Sequence, residues 1–189
     1  MLNTPKTIAK ILAISAMTFF AAHANASPID DLQQFNRSVS SLSGSFTQKV
    51  MNKSYAVKKT SSGTFSFHRP GRFTWTYTRP YEQVLTSDGK TLSIFDKDLN
   101  QTTKRPLGSA IGSSPAAILF GGKDLKANFN LSDGGNANGL SWVTAVPKSR
   151  NGGFTKINIG LANGVPDAME LHDSLGQITV LYFSGVSKN

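Results

Sequence analysis

Arg69-Pro70-Gly71-Arg72-Phe73-Thr74-Trp75-Thr76-Tyr77-Thr78 is the stretch whose reading decides the fold. Pro70-Gly71 is a turn signal, and strict alternation follows it. Phe73, Trp75 and Tyr77 fall on one face of a strand, and Arg72, Thr74, Thr76 and Thr78 fall on the other. Just before the turn, Phe65 and Phe67 alternate with Thr64, Ser66 and His68. Two successive strands therefore offer five large rings to one side of a sheet. Two arrangements satisfy this pattern: a sheet core packed solid, or an apolar cavity or groove that the rings line without filling. Periodicity does not choose between them, although Arg69, a charge beside the apolar face, leans toward the second.

Outward from this stretch the chain reads as a succession of strands. Upstream, Ser27 can cap a helix, Pro28 suits its first position, and Asp30-Asp31 complement the positive end of its dipole. Ile29, Leu32, Phe35, Val39 and Leu42 recur at steps of three and four, so the helix is predicted to run to a stop at Ser43-Gly44 with one face against a sheet. Strands are predicted over 45–51, 57–68, 72–78, 83–86, 91–95 and 101–105, with Asp88-Gly89 as a hairpin signal. Further strands are predicted over 124–131, 141–146, 154–160, 167–172 and 177–184, with polar loops over 133–139 and 148–153. That makes about eleven antiparallel strands, a number that curls or closes a sheet. The fold class is mainly β, an open and strongly curved half-barrel with a helical lid.

One segment breaks the pattern. In Ser113-Ser114-Pro115-Ala116-Ala117-Ile118-Leu119-Phe120-Gly121-Gly122, serine caps, proline starts and a glycine pair stops a helix of under two turns. It has no polar face, and a helix so short is marginal alone. The ring-bearing face of the sheet is the surface that can cover it. Two roles fit: a fixed core plug, or a lid held by apolar contact alone.

The ends and the composition bound the class. Lys6 and Lys10 precede an apolar run from Ile11 to Ala22, too short for a comfortable membrane span, and Ala24-Asn25-Ala26 fits a cleavage site. Residues 1–26 read as a signal peptide and 27–189 as a single exported domain. The chain has no cysteine, so neither a disulfide nor lipid attachment at its own cleavage site is available to it. The net charge of +9 drops by two with the signal. The remaining basic residues are scattered, with only Lys58-Lys59 and Lys104-Arg105 adjacent, which argues against a nucleic-acid face.

Catalytic and metal chemistry find no footing in the sequence. His68 and His172 lie singly at strand ends, and no cysteine or paired histidine suggests a metal site. Gly89-Lys90-Thr91 has Val84 where a phosphate loop requires glycine, and Asp96 and Asp98 flank Lys97 in a loop. Neither a cofactor nor an enzymatic activity is expected.

His68-Arg69-Pro70-Gly71-Arg72-Phe73-Thr74-Trp75, then Ser87-Asp88-Gly89-Lys90-Thr91-Leu92, then Ser114-Pro115-Ala116-Ala117-Ile118-Leu119-Phe120, resembles the outer-membrane lipoprotein carrier family, the periplasmic chaperones of the Lol system. The similarity runs in order from about Ser27 to Ser184. The resemblance implies a monomeric periplasmic carrier with an eleven-stranded open barrel and a helical lid over a hydrophobic cavity. It implies lipid-modified proteins as cargo, an ATP-driven inner-membrane complex that releases them, and an outer-membrane receptor that accepts them. Arg69 matches the family's lid-latching arginine and Phe73 its cavity-mouth phenylalanine. Together with the alternation, this gives Phe65, Phe67, Phe73, Trp75, Tyr77, Leu92, Ile94, Ile118, Leu119 and Phe120 as the acyl-chain-binding set. Family members continue past Ser187-Lys188-Asn189 with another strand and a short helical segment, so the resemblance reads the carrier domain as truncated there. The alternative is a periplasmic sensor of lipid or mislocalised lipoprotein on the same curled sheet, a reading by analogy of fold.

Overall fold

Alternating polar and apolar residues build nearly everything in this chain, and they build one sheet. The computed structural model describes residues 27–111, 113–120, 125–149 and 153–188; residues 1–26, read above as a signal peptide, and Gly121-Gly122 lie outside them. Helix α1 (Pro28–Ser38) leads into β1 (Ser41–Met51), β2 (Val57–His68), β3 (Arg72–Arg79), β4 (Gln83–Asp88), β5 (Thr91–Asp96) and β6 (Gln101–Pro106). Two short helices, α2 (Leu107–Ala110) and α3 (Pro115–Phe120), and a 3-10 turn (Leu125–Ala127) follow. Strands β7 (Phe129–Ala137), β8 (Leu140–Pro147), β9 (Phe154–Ala162), β10 (Val165–Asp173) and β11 (Ile178–Lys188) complete the chain.

The strand order is β6-β5-β4-β3-β2-β1-β11-β10-β9-β8-β7, antiparallel throughout. Two meanders are thus joined at the centre by the first strand and the last, and the sheet stays open at β6 and β7. The helical segment runs between these two edges. Helix α1 packs on β7, β8, β9 and β10, while α3 packs on β3 and α2 on β5 and β6. One hydrophobic cluster runs through both halves, from Phe65, Trp75 and Leu92 to Ile157, Met169 and Leu181, with Leu32, Phe35 and Phe120 from the helices inside it. The sheet is therefore curled around its helices.

Local chemistry sets each element. The Ser27 hydroxyl accepts from the Ile29 N–H at 3.2 Å, and Asp30 and Asp31 occupy the first turn of α1 with Arg37 in the last. Asp88 closes the β4–β5 turn by accepting from the N–H groups of Lys90 at 2.8 Å and Thr91 at 2.7 Å. Those bonds hold its carboxyl below the usual range. Asp173 does the same for the β10–β11 turn, taking the N–H groups of Leu175 and Gln177.

Three expectations are corrected. Helix α1 stops at Ser38, not at Ser43-Gly44, and Val39 is already extended (φ −91°, ψ 106°). The run Ser38-Val39-Ser40-Ser41 is poor in helix formers, and Leu42 stays buried by strand alternation instead, opposite Phe67. The strand expected over 124–131 starts only at Phe129, with a 3-10 turn over Leu125–Ala127 before it. The loop expected over 133–139 is mostly strand: β7 continues through a bulge between Asp133 and Gly135, and only Asn138-Gly139, both at positive φ, make the turn. Helix α2 was not anticipated, because four residues carry no readable period.

Gly63 fixes how tightly β2 and β3 approach. The pairing shifts between Ser62 and Gly63, and a Cβ there would overlap the Thr76 carbonyl and press on the Phe46 ring at 3.0 Å. Gly63→Ala is expected to lower stability by roughly 1–3 kcal/mol, the range for overpacking, with the fold retained. Urea unfolding with an unchanged m-value and a lower midpoint is the expected result; an unshifted midpoint would mean that the strands separate without cost.

Candidate functional site

Phe120, the last residue of α3, sits at the centre of the ring-bearing face. Its ring stacks on Phe67 at 4.4 Å and on Phe65 at 5.6 Å, and lies 6.3 Å from Phe73 and 6.4 Å from Trp75. The register explains the convergence. Phe65 is opposite Trp75 and Phe67 opposite Phe73, so the rings of β2 and β3 form one continuous floor. Leu92 is fully buried on β5, while Ile94 and Tyr77 are partly buried at the margin. All ten apolar residues expected at the site thus belong to, or pack against, one cluster with α3 seated in it.

That seating is what the bare alternation could not supply. Five of the six residues of α3 are buried: Ala116, Ala117, Ile118, Leu119 and Phe120. The helix occupies the space above the rings, so the structure is the covered form of the aromatic face. Burying Phe120 alone is worth about 1.5–3 kcal/mol, and each well-placed ring pair adds about 0.5–1.5 kcal/mol. These contacts have no directional component beyond ring geometry.

Arg69 supplies the directional part. Its Nε donates to the Val39 carbonyl at 3.0 Å, and its Nη2 donates to Asn36 Oδ1 at 2.8 Å and to the Leu119 carbonyl at 3.5 Å. The guanidinium lies 5.0 Å over the Phe67 ring and 5.5 Å over that of Phe35. One side chain on the β2–β3 turn therefore ties three elements together: the sheet, the end of α1, and one of the last carbonyls of α3, which has no partner within its own helix. Burial lowers the Arg69 pKa, although a guanidinium keeps its charge in a protein. Beside the bond to α3, the bonds to Asn36 and Val39 reach the end of α1, a contact the sequence reading did not anticipate.

Several contributors escaped the sequence reading. Phe46 stacks on Trp75 at 4.1 Å, and Phe183 on the last strand meets Phe65 at 5.5 Å. Phe183 becomes a neighbour only because β1 pairs with β11, a contact between chain ends. Asn36 is buried at 6% exposure, four residues after Leu32 on the apolar stripe of α1. A polar residue at such a position signals a buried hydrogen-bond partner, here Arg69. Among the described residues, no group of acidic or histidine side chains is arranged to hold a metal ion, and no helix is long and apolar enough to cross a membrane.

The comparisons agree with this architecture. Residues 37–189 match the family described as outer membrane lipoprotein carrier protein LolA. The outer-membrane lipoprotein carrier protein of Cupriavidus pinatubonensis is 49% identical over 185 residues, covering 95% of this chain and 87% of the relative. That of Neisseria meningitidis serogroup B is 42% identical over 185 residues, covering 98% of this chain and 88% of the relative. Among solved structures, a LolA superfamily protein from Nitrosomonas europaea aligns with a TM-score of 0.51 at 11% identity, over 86% of this chain and 92% of its own. At that identity it speaks for the fold alone. The ring-floored open sheet and the extent of these matches lead to one conclusion: the chain belongs to the outer-membrane lipoprotein carrier family.

Proposed function

We propose that this protein is a periplasmic chaperone that takes the acyl chains of lipid-modified proteins onto the aromatic face now covered by α3 and carries them through water toward the outer membrane. The observation that carries the reading is the position of Phe120: the ring floor is complete without it, and the helix that bears it is short, apolar and held by few polar contacts. Acyl burial is worth ~0.8 kcal/mol per CH₂, so a chain of ~15 such groups gains roughly 12 kcal/mol on leaving water. A carrier must match that gain and still release. Exchanging the buried surface of α3 for acyl surface does both, because one apolar contact replaces another.

In this reading Phe65, Phe67, Phe73, Trp75, Tyr77, Leu92 and Ile94 line the acyl site, and Ile118, Leu119 and Phe120 move aside to admit the chains. Arg69 holds the closed form. Loading draws its energy from an ATP-driven inner-membrane complex, and cargo passes to a receptor at the outer membrane. The carrier acts as a monomer.

Two variants test the site. Phe73→Glu places a carboxylate among Phe67 and Phe120, where a buried charge is costly unless it protonates. Transfer of a lipoprotein out of inner-membrane vesicles is expected to fail, with the fold checked by far-UV circular dichroism; normal transfer by this variant would remove Phe73 from the acyl site.

Arg69→Leu removes the bonds to Val39, Asn36 and Leu119 and adds apolar surface. Of these, the bond to the Leu119 carbonyl is the one made to α3; a hydrogen bond to a charged group contributes about 1.5–3 kcal/mol, so its loss shifts the closed–open balance about tenfold toward open. The variant is expected to accept lipoprotein from inner-membrane vesicles and to retain it when offered outer-membrane vesicles. Wild-type behaviour at both stages would show that Arg69 latches nothing.

A further inference from the structure

At one end of the sheet the inward face changes from apolar to polar within a single step along the strands. Phe46 is followed by Gln48 on β1, Gly63 is preceded by Ser61 on β2, Leu85 by Gln83 on β4, and Ile94 is followed by Asp96 on β5. The register aligns these into a row: Gln48 is opposite Ser61, Tyr77 opposite Gln83, and Gln83 opposite Asp96. The row lines a cleft of about 450 Å³, with Tyr81 and Leu99 exposed at its outer lip.

Tyr77 joins the two regimes. Its ring meets Phe46 edge-on at 5.2 Å, within the aromatic floor, and its hydroxyl donates to Gln48 Oε1 at 3.0 Å, within the polar row. Burial raises the phenol's pKa, with the Trp75 and Gln48 side chains pulling the other way, so it remains a neutral donor at any physiological pH. With its carbonyl oxygen taken by Tyr77, Gln48 keeps its amide N–H groups for a ligand, and Gln83 lines the cleft beside it. The hydrogen-bonding groups of the row are thus mostly uncharged, and they begin where the apolar floor ends.

The charges around the row select further. Asp96 and Asp98 both line the cleft, against Lys59, which sits 5.5 Å over the Tyr81 ring. Lys97, between the two aspartates in sequence, is paired with Glu82. On a chain whose formal net charge is +9, this is a place where carboxylates outnumber free ammonium groups. A phosphate would meet two like charges there.

We infer that this cleft binds the neutral head of an acylated polypeptide, the glycerol ester, thioether and amide groups that connect the acyl chains to the first residues of the cargo, and that it disfavours lipids with a phosphate head. The inference rests on the carrier reading given above and adds to it a site that separates lipidated protein from the phospholipid that surrounds it in a membrane. Acyl chains alone cannot make that distinction, since both classes of lipid carry them.

The test compares three probes: palmitate, a synthetic tripalmitoylated cysteinyl-serine peptide with no net charge, and phosphatidylglycerol. Each is titrated against the wild type, the double variant Gln48→Leu/Gln83→Leu, and the double variant Asp96→Asn/Asp98→Asn, with unfolding midpoints measured alongside. Losing one or two hydrogen bonds to neutral groups is expected to weaken the lipopeptide about tenfold in the leucine variant, with palmitate unchanged. In the asparagine variant phosphatidylglycerol is expected to tighten several-fold relative to the lipopeptide. Gln83→Ala, at a half-buried position, reports in the same direction should the double variant not fold. The inference falls if lipopeptide and palmitate weaken together or if neither changes. If the wild type binds neither, the carrier reading fails first and takes this site with it.

Discussion

An open antiparallel sheet of eleven strands with five adjacent rings on one face cannot leave that face in water. Something apolar must cover it, and the cover in this chain is drawn from its own middle. The stacking of Phe120 on Phe65 and Phe67 is the contact on which the arrangement depends. It brings a helix too short to be stable alone onto a surface too greasy to be exposed, and each solves the other's difficulty. Helix α1 covers the other half of the sheet through Leu32 and Phe35 in a more conventional way, with an amphipathic stripe, a side-chain cap and charges placed along its dipole.

The two covers differ in how firmly they are held. Helix α1 is eleven residues long and its ends are satisfied by Ser27 and by the Val39 N–H bonding back to Phe35. Helix α3 has six residues and no acidic or basic side chain in its terminal turns. Local opening draws on the shorter and less anchored elements, and this is the part that the proposed function gives to α3. Arg69 connects the two. Its bonds reach Val39 and Asn36 at the end of α1 and the Leu119 carbonyl of α3, so one guanidinium bridges both covers.

Much of this was legible before any coordinates. The period of two in 57–68 and 72–78 fixed the strands carrying the rings, and the Pro-Ala-Ala-Ile-Leu-Phe run announced a helix without a polar side. The order of motifs supplied the family. What could not be read arises from pairings between distant segments. Phe183 reaches Phe65 only through the β1–β11 ladder, and the role of Asn36 shows only once Arg69, 33 positions away, stands beside it. Leu42 illustrates a different failure: spacing consistent with a helix was also consistent with a strand that puts it on the same face as Phe46, and neighbouring serines decided the matter. The polar row at Gln48, Ser61, Gln83 and Asp96 was invisible for the same reason, since each residue lies on a different strand and only the register collects them.

The free edges have a mechanical meaning. Strands β6 and β7 end the sheet on opposite sides, and no ladder joins them among the described residues. A closed barrel has a circumference set by strand number and shear, so its interior is of fixed bore. Here the gap between β6 and β7 can widen or narrow without breaking a single interstrand hydrogen bond, while the chain that carries α2 and α3 spans it like a strap across an open cuff. The girth of the interior is thereby not fixed by ladder closure, which suits a carrier of lipoproteins.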